Sequence, residues 1–255
     1  MCLILVAHKV DEALPLVIAA NRDEFHSRPT LKAGWWPDDK NILGGRDLQA
    51  GGTWLAVQRG GRFAAITNYR DADAPPRGKQ SRGFLVTRFL QNDVPPLEYV
   101  ESINDEDYAG FNLLVGDGDA RAYRSNRSRK RGELAPGVYG LGNATLDTPW
   151  EKVERSKEKL RSLLASGSVN ETSLLNLLAD REKGPVDEAQ SDRLPFATAH
   201  AITAPFIVLP EYGTRCSTVV TAGNEGKWSF LERRFSANGA SNGESQFSFS
   251  AVDGQ

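Results

Sequence analysis

The second residue of the chain is a cysteine, and three short polar groups further along have chemistry to offer it. Cys2 follows Met1. Trimming of a methionine ahead of a small residue would leave Cys2 with a thiol and a free α-amino group on one carbon. The amine, with an ordinary pKa of about 7.7–8.0, can act as a base near neutral pH. The thiol, at about 8.5, becomes a strong nucleophile once it loses its proton. One residue can thus carry both nucleophile and base. The bland alternative is packing, because cysteine is among the most buried residue types. Asn21-Arg22-Asp23-Glu24 closes one apolar stretch, Asn68-Tyr69-Arg70 a second and Asn143 a third. A buried strand end is a rigid place to build a site, although polar turns leaving a sheet look the same.

The elements that must position these groups follow from periodicity. Residues 2–10 and 14–21 are apolar runs split by Asp11-Glu12-Ala13, which reads as a hairpin of two strands buried on both faces. Residues 26–41, with Pro29, Trp35, Trp36 and Pro37, read as loop, and Gly44-Gly45-Arg46-Asp47 as a turn-like segment. A strand begins near Trp54, and another spans 62–68 after the Gly60-Gly61 turn. Residues 71–80 read as a mobile loop and candidate lid. Ser81 is placed to cap a helix over 82–92, and Pro95-Pro96 to start a second with Leu97, Val100 and Ile103 inward.

Strands are predicted at 111–117, 120–125 and 138–143, with Arg127, Arg129, Lys130 and Arg131 in a solvated loop. Thr148-Pro149-Trp150-Glu151 reads as the start of a helix running to about 166, and Ser168–Glu171 as a capping box for the next. A charged loop at 181–195 precedes strands at 205–209, 215–222 and 227–235. Residues 237–255 offer an edge strand at 246–250 or a frayed tail. With no repeat and no dividing linker, 1–255 reads as one domain of two sheets with helices outside them. That is a four-layer α/β/β/α arrangement.

Composition narrows the function classes. Apolar residues make up 40% and charged residues 25%, with a formal charge of −2. The balance gives no electrostatic case for nucleic acid or an anionic membrane. Two cysteines, Cys2 and Cys216, are too few for a disulfide scaffold or a multi-cysteine zinc site. No apolar run approaches the roughly 18–20 residues of a transmembrane span, and the N-terminal run lacks the basic segment of a secretory signal. A cytoplasmic location is the default expectation.

The motifs, in order, resemble the NRDE family, also called the transport and Golgi organisation 2 family. Asn21-Arg22-Asp23-Glu24 matches the signature that gives the family its name. The resemblance continues through Gly45-Arg46-Asp47-Leu48, Gly51-Gly52-Thr53-Trp54-Leu55, Ala65-Ile66-Thr67-Asn68-Tyr69-Arg70, Arg82-Gly83-Phe84-Leu85 and Gly110-Phe111-Asn112-Leu113-Leu114. It resumes at Gly137-Val138-Tyr139-Gly140-Leu141, Leu146-Asp147-Thr148-Pro149-Trp150 and Tyr212-Gly213-Thr214-Arg215, covering about 2–235. It implies an α+β, four-layer α/β/β/α sandwich of N-terminal-nucleophile hydrolase type, whose cysteine members include bile-salt hydrolases and penicillin V acylases that cleave amide bonds.

On this resemblance Cys2 is the nucleophile, Arg22 polarises its thiol and Asp23 is the nearest match to an Asp near that Arg. Asn68 and Asn143 both fit as oxyanion donor, and Arg215 closes the site. Arg22 and Arg215 would lower the thiol pKa. Hydrolysis would need no cofactor. The family is also linked to haem trafficking and to lipid or acyl-CoA homeostasis, so the competing implication is a non-enzymatic haem chaperone or acyl-lipid carrier. The ligand would then be an acyl amide, a thioester or haem. For haem, Cys2, His8, His26 and His200 are the available axial ligands, and Trp35, Trp36 and Trp54 could line a cleft. A third reading is the same fold without chemistry, working as a binding module.

Overall fold

Alternation along the first strand dictates a sheet covered on both sides. Leu3, Leu5 and Ala7 pack into one core cluster, and Ile4 and Val6 into another. A strand wet on one face would alternate apolar with polar; this one has no face to spare for water. The computed structural model describes residues 2–70, 80–118, 120–186 and 194–251. The candidate lid therefore lies outside the described residues, apart from Gln80.

In chain order the elements are β1 (Cys2–His8), β2 (Leu16–Phe25), β3 (Thr30–Trp35), β4 (Ile42–Asp47), β5 (Leu55–Gln58) and β6 (Arg62–Asn68). Then come α1 (Gly83–Leu90), α2 (Pro96–Ser102), β7 (Phe111–Gly116), β8 (Arg121–Ser125), β9 (Arg131–Glu133) and β10 (Gly137–Leu141). The rest are α3 (Glu151–Ala165), α4 (Glu171–Leu178), α5 (Phe196–Ala201), β11 (Tyr212–Ala222), β12 (Lys227–Phe235) and β13 (Ser241–Ser250). One sheet has the order β10-β1-β2-β11-β12-β13, and the other β3-β4-β5-β6-β7-β8-β9. All their strand pairs are antiparallel.

Three cores hold the layers together. Between the sheets, Ile4, Val6, Leu16, Ile18 and Phe230 meet Leu43, Leu55, Val57, Phe63 and Leu114. On the outer face of the second sheet, Leu85, Val86 and Phe89 of α1 and Tyr99 and Val100 of α2 cover Ile66, Leu113 and Val115. On the outer face of the first, Val153 and Leu160 of α3 and Leu174, Leu175 and Leu178 of α4 cover Leu3, Leu5 and Val17. Each such buried side chain stabilises the fold by roughly 1.5–3 kcal/mol. The α/β/β/α order follows from these three contacts.

Several local readings are corrected. The segment read as loop at 26–41 contains β3, an edge strand whose register to β4 shifts between Leu31 and Gly34, which blurs its alternation. Gly44-Gly45-Arg46-Asp47 is strand, not turn. A Cβ on Gly44 would stand 2.7 Å from the Leu55 carbonyl oxygen and 2.8 Å from the Ala56 Cβ, and one on Gly45 would strike the Trp54 ring. These glycines serve close strand packing. Asn21–Glu24 lies inside β2, which runs on to Phe25.

None of the predicted caps is the observed one. α3 begins after Trp150, and Thr148 instead closes its own turn on the Thr145 carbonyl at 2.8 Å. α4 is capped by Asn170 and Ser173 reciprocally. α1 starts at Gly83 with no side-chain cap, and Leu97 of α2 is exposed while Pro96 and Tyr99 point inward. Residues 205–209 are not a strand; Ile207 is tied to Thr214 by backbone and hydroxyl bonds instead. Arg131 of the basic loop opens β9, and β13 is longer than 246–250.

Candidate active site

Register brings the chemistry together. In β1–β2 pairing Cys2 stands opposite Arg22, and on the other side of β2 Cys216 of β11 stands opposite the same arginine. Arg22 shares the parity of Ile18 and Ala20, so it points between the sheets. Its guanidinium lies 4.3 Å over the Trp54 ring and 3.4 Å from Asp47 Oδ2, with Thr30 Oγ1 at 3.5 Å. A stacked, ion-paired arginine holds a fixed direction. Asn21 has the opposite parity and is structural. Its Nδ2 donates to the Leu178 and Pro205 carbonyls at 2.8 and 2.9 Å, and its Oδ1 accepts from Ser217 Oγ at 2.6 Å.

Asp23 is buried, and its Oδ1 accepts from Thr214 Oγ1 at 2.7 Å. Burial pushes its carboxyl up from the usual range, opposed in part by the nearby Lys152 ammonium and the Thr214 hydrogen bond. Lys152, in the first turn of α3, is itself held below the usual lysine range by burial, with Asp23 and Cys2 acting the other way.

Asn143, just past β10, uses both ends of its carboxamide. Its Oδ1 accepts from the Cys2 backbone nitrogen at 2.9 Å, and its Nδ2 donates to the Asn68 carbonyl at 2.6 Å. Asn68 is the last residue of β6; it is exposed, and it lines the same cleft as Cys2. That cleft encloses about 370 Å³. Arg28, Asp47, Trp54 and Arg82 complete its walls around Cys2, Arg22, Asp23, Glu24 and Asn68. One wall depends on Gly52 and Gly83: a Cβ on Gly52 would overlap the Gly83 backbone, so two glycines let the start of α1 press against the chain before β5.

The thiol departs from expectation in one respect. Cys2 is partly exposed at the cleft, yet its surroundings are dense, and desolvation pushes its thiol above the ordinary value. The Asp23 carboxylate adds to the rise. The Asp23 backbone N–H and the Arg22 guanidinium oppose it, and they are outweighed. Arg22 therefore acts in the expected direction without deciding the outcome.

Of the residues singled out from sequence, Cys2, Arg22, Asp23 and Asn68 share the cleft, and Asn143 grips Cys2 from behind. Arg215 is not among the cleft-lining residues. It sits at a bulge in β11, where register shifts between Thr214 and Cys216, and its Nη1 donates to the Phe25 and Arg28 carbonyls at 2.7 and 3.2 Å. The bulge turns it toward the 25–28 bend. None of the three histidines lines the cleft: His8 is buried at the far end of β1, His26 bonds the Leu209 carbonyl and His200 stacks on Phe196. Among the described residues that line the cleft there is no imidazole, and Arg22, Asp23, Glu24, Arg28, Asp47 and Arg82 are charged. Trp35 and Trp36 pack in the cores.

Sequence reasoning passed over Asp47, Arg82 and Lys152. Asp47 and Arg82 sit inside two of the motif segments, which was their only signal. Among the described residues no group of His, Cys, Asp and Glu could hold a metal, and no helix is long and apolar enough to cross a membrane.

Known proteins match this architecture. The family model for Transport and Golgi organisation 2 matches residues 1–237. A Transport and Golgi organization protein 2 homolog of Homo sapiens is 38% identical over 244 residues, covering 87% of each chain. A conjugated bile acid hydrolase from Clostridium perfringens, solved as its C2A mutant, aligns with TM-score 0.52 at 9% identity, over 97% of this chain and 92% of the other. The Caenorhabditis elegans ortholog of N-acylethanolamine-hydrolyzing acid amidase aligns with TM-score 0.50 at 14% identity, over 86% and 92%. At such identities the likeness is one of fold, and the fold is that of N-terminal-nucleophile hydrolases.

Proposed function

The chain belongs to the Transport and Golgi organisation 2 family, and on that premise we propose that Cys2 is the nucleophile of an acyl-transfer site acting on a small amide or thioester. The observation that carries this is the grip on Cys2: its backbone nitrogen is held by Asn143 Oδ1 at 2.9 Å at the edge of a cleft shared with Arg22 and Asn68. The β1–β10 register continues to place Asn143 opposite Cys2, and there the ladder ends on a side-chain acceptor that holds the nitrogen at the cleft.

The chemistry begins with removal of Met1, which turns that nitrogen into an amine. The thiol is raised by burial, so it rests protonated and needs a base within the site. The α-amine takes the thiol proton, and the sulfur attacks the carbonyl carbon. The carbonyl π electrons move to oxygen. Asn143 has both ends of its amide occupied, so it positions the amine. The Asn68 side chain, exposed in the cleft, is the donor available to the oxyanion, a contribution commonly worth about 3–4 kcal/mol. The ammonium returns its proton to the leaving nitrogen or sulfur, leaving a thioester on Cys2 that water hydrolyses.

Incubation with activated esters, amides and thioesters, read by intact mass, should give an acyl adduct on wild-type protein and none on Cys2→Ala. Haem titration is the counter-experiment. A Soret shift that survives in Cys2→Ala, with no adduct from any acyl donor, would discard the reading.

A further inference from the structure

Three arginines line the cleft that holds Cys2, and they are not equivalent. Arg22 and Arg28 share Asp47, whose Oδ2 lies 3.4 Å from Arg22 Nη2 and 3.0 Å from Arg28 Nε. The other carboxylates of the cleft are engaged as well. Asp23 Oδ1 accepts from Thr214 Oγ1, and Glu24 Oε1 accepts from the Phe25 N–H at 2.9 Å with its Oε2 4.0 Å from Arg22. Arg82, half-buried just ahead of α1, has no carboxylate partner among the described residues. Its Nη1 donates to the Gly110 carbonyl at 2.9 Å, and no described residue accepts from its Nε or Nη2. A guanidinium carries five N–H donors in a rigid fork, so one carbonyl leaves the Nε–Nη2 edge for a ligand.

Hydrogen bonds fix where that edge sits. The Gly110 carbonyl that holds Arg82 also accepts from the Tyr69 N–H at 2.9 Å. Tyr69 follows Asn68, whose own carbonyl is held by Asn143, the residue that grips the Cys2 nitrogen. Arg82 is thereby pinned on the flank of the cleft that carries Asn68. At about 370 Å³ the cleft is near the small end of ligand pockets, so a substrate seated at Cys2 reaches that flank.

We propose that Arg82 is a substrate-binding residue that selects acyl donors carrying a carboxylate, held by its Nε–Nη2 edge while Cys2 meets the scissile carbonyl. The proposal rests on the acyl-transfer reading of Cys2. The carboxylate is bound and not consumed, so the bonds made and broken are those of the acyl transfer alone. Two parallel charge-assisted bonds form with it, and a neutral donor of equal length leaves that edge to water.

Matched reagents test this in the full chain. N-ethylmaleimide and maleimidopropionate form the same bond to Cys2 and differ by a carboxylate. Peptide mass spectrometry reads both rates, with mercaptoethanol as the reference thiol. The rate ratio at Cys2 should favour maleimidopropionate about tenfold over the reference ratio. It should fall to the reference in Arg82→Gln, be largely retained in Arg82→Lys and reverse in Arg82→Glu. A purely structural role would slow both reagents together and leave the ratio alone. Cys216 labels only in unfolded protein and so checks each variant in the same digest; where Arg82→Gln labels there, Arg82→Lys and the wild-type ratio decide. A wild-type ratio no higher than the reference overturns the proposal, and so does a ratio that Arg82→Gln leaves unchanged. Thioesters then locate the charge. Succinyl against butyryl N-acetylcysteamine tests the acyl half, and butyryl mercaptopropionate against butyryl N-acetylcysteamine the leaving half. One pair should lose its preference in Arg82→Gln, and if neither does the proposal fails. Absence of any acyl adduct on wild-type protein, with the maleimide preference intact, instead sinks the nucleophile reading.

Discussion

Arg22 stands in register between two cysteines that share a sheet face and little else. Cys2 begins β1, lines the cleft and is gripped by Asn143. Cys216 lies within β11, 4% exposed and off the cleft. Burial and then the Glu232 carboxylate drive its thiol well above the ordinary value. Two strand spacings separate them, roughly 9.5 Å, which exceeds the roughly 7 Å Cα separation a disulfide tolerates. The same element opposite the same arginine is a candidate nucleophile on one flank and core packing on the other. On the proposed reading the difference is one of position in the chain: Cys2 opens the first strand, where removal of Met1 would free its nitrogen while its sulfur faces the cleft.

The sharpest way to break this contrast is to remove each sulfur in turn. Cys2→Ala should cut acyl transfer by about a thousandfold or more, with circular dichroism and melting unchanged. Equal losses from both cysteines would erase the distinction. Next in size, Asn68→Ala should lower the rate of adduct formation by about a hundredfold while Cys2 still alkylates, because the donor acts on the oxyanion and not on the thiol. Labelling as a function of pH separates the flanks further. Both thiols are raised, so the thiolate fraction of each falls tenfold, roughly, for every unit below its own midpoint. Cys2 should label increasingly up to and beyond the ordinary thiol value, and Cys216 only once the protein unfolds. The smallest effect belongs to Cys216→Ala. It should cost about 1 kcal/mol of stability in a chemical melt and leave acyl transfer within about twofold.

Much of this was legible in the residues. Long apolar runs declared β1, β2 and β6, and the polar ends of those runs pointed to Arg22, Asp23 and Asn68. What periodicity could not carry is what depends on contact. Gly44 and Gly45 looked like a turn because only the packed Ala56 and Trp54 explain why a strand should carry them. Pro95-Pro96 does start α2, whereas the start of α3 was misplaced because Thr148 had a nearer carbonyl to bond. Arg215 matched a motif, but a bulge turned it to the 25–28 carbonyls instead. Lys152 was invisible for a related reason: a lysine in a helix reads as solvated, and only the fold buries that turn and bonds its Nζ to the Ile202 carbonyl.

The stretch Gly142-Asn143-Ala144 bonds the second sheet at every residue. The Gly142 carbonyl accepts from Thr67 Oγ1 at 2.8 Å, Asn143 Nδ2 donates to the Asn68 carbonyl at 2.6 Å, and the Ala144 carbonyl accepts from Asn112 Nδ2 at 2.9 Å. These rivets fasten one sheet to the other at the very spot where sulfur and carboxamide must meet. Gentle warming that loosened them would blunt the molecule long before it melted, so inactivation should run ahead of unfolding on any temperature ramp.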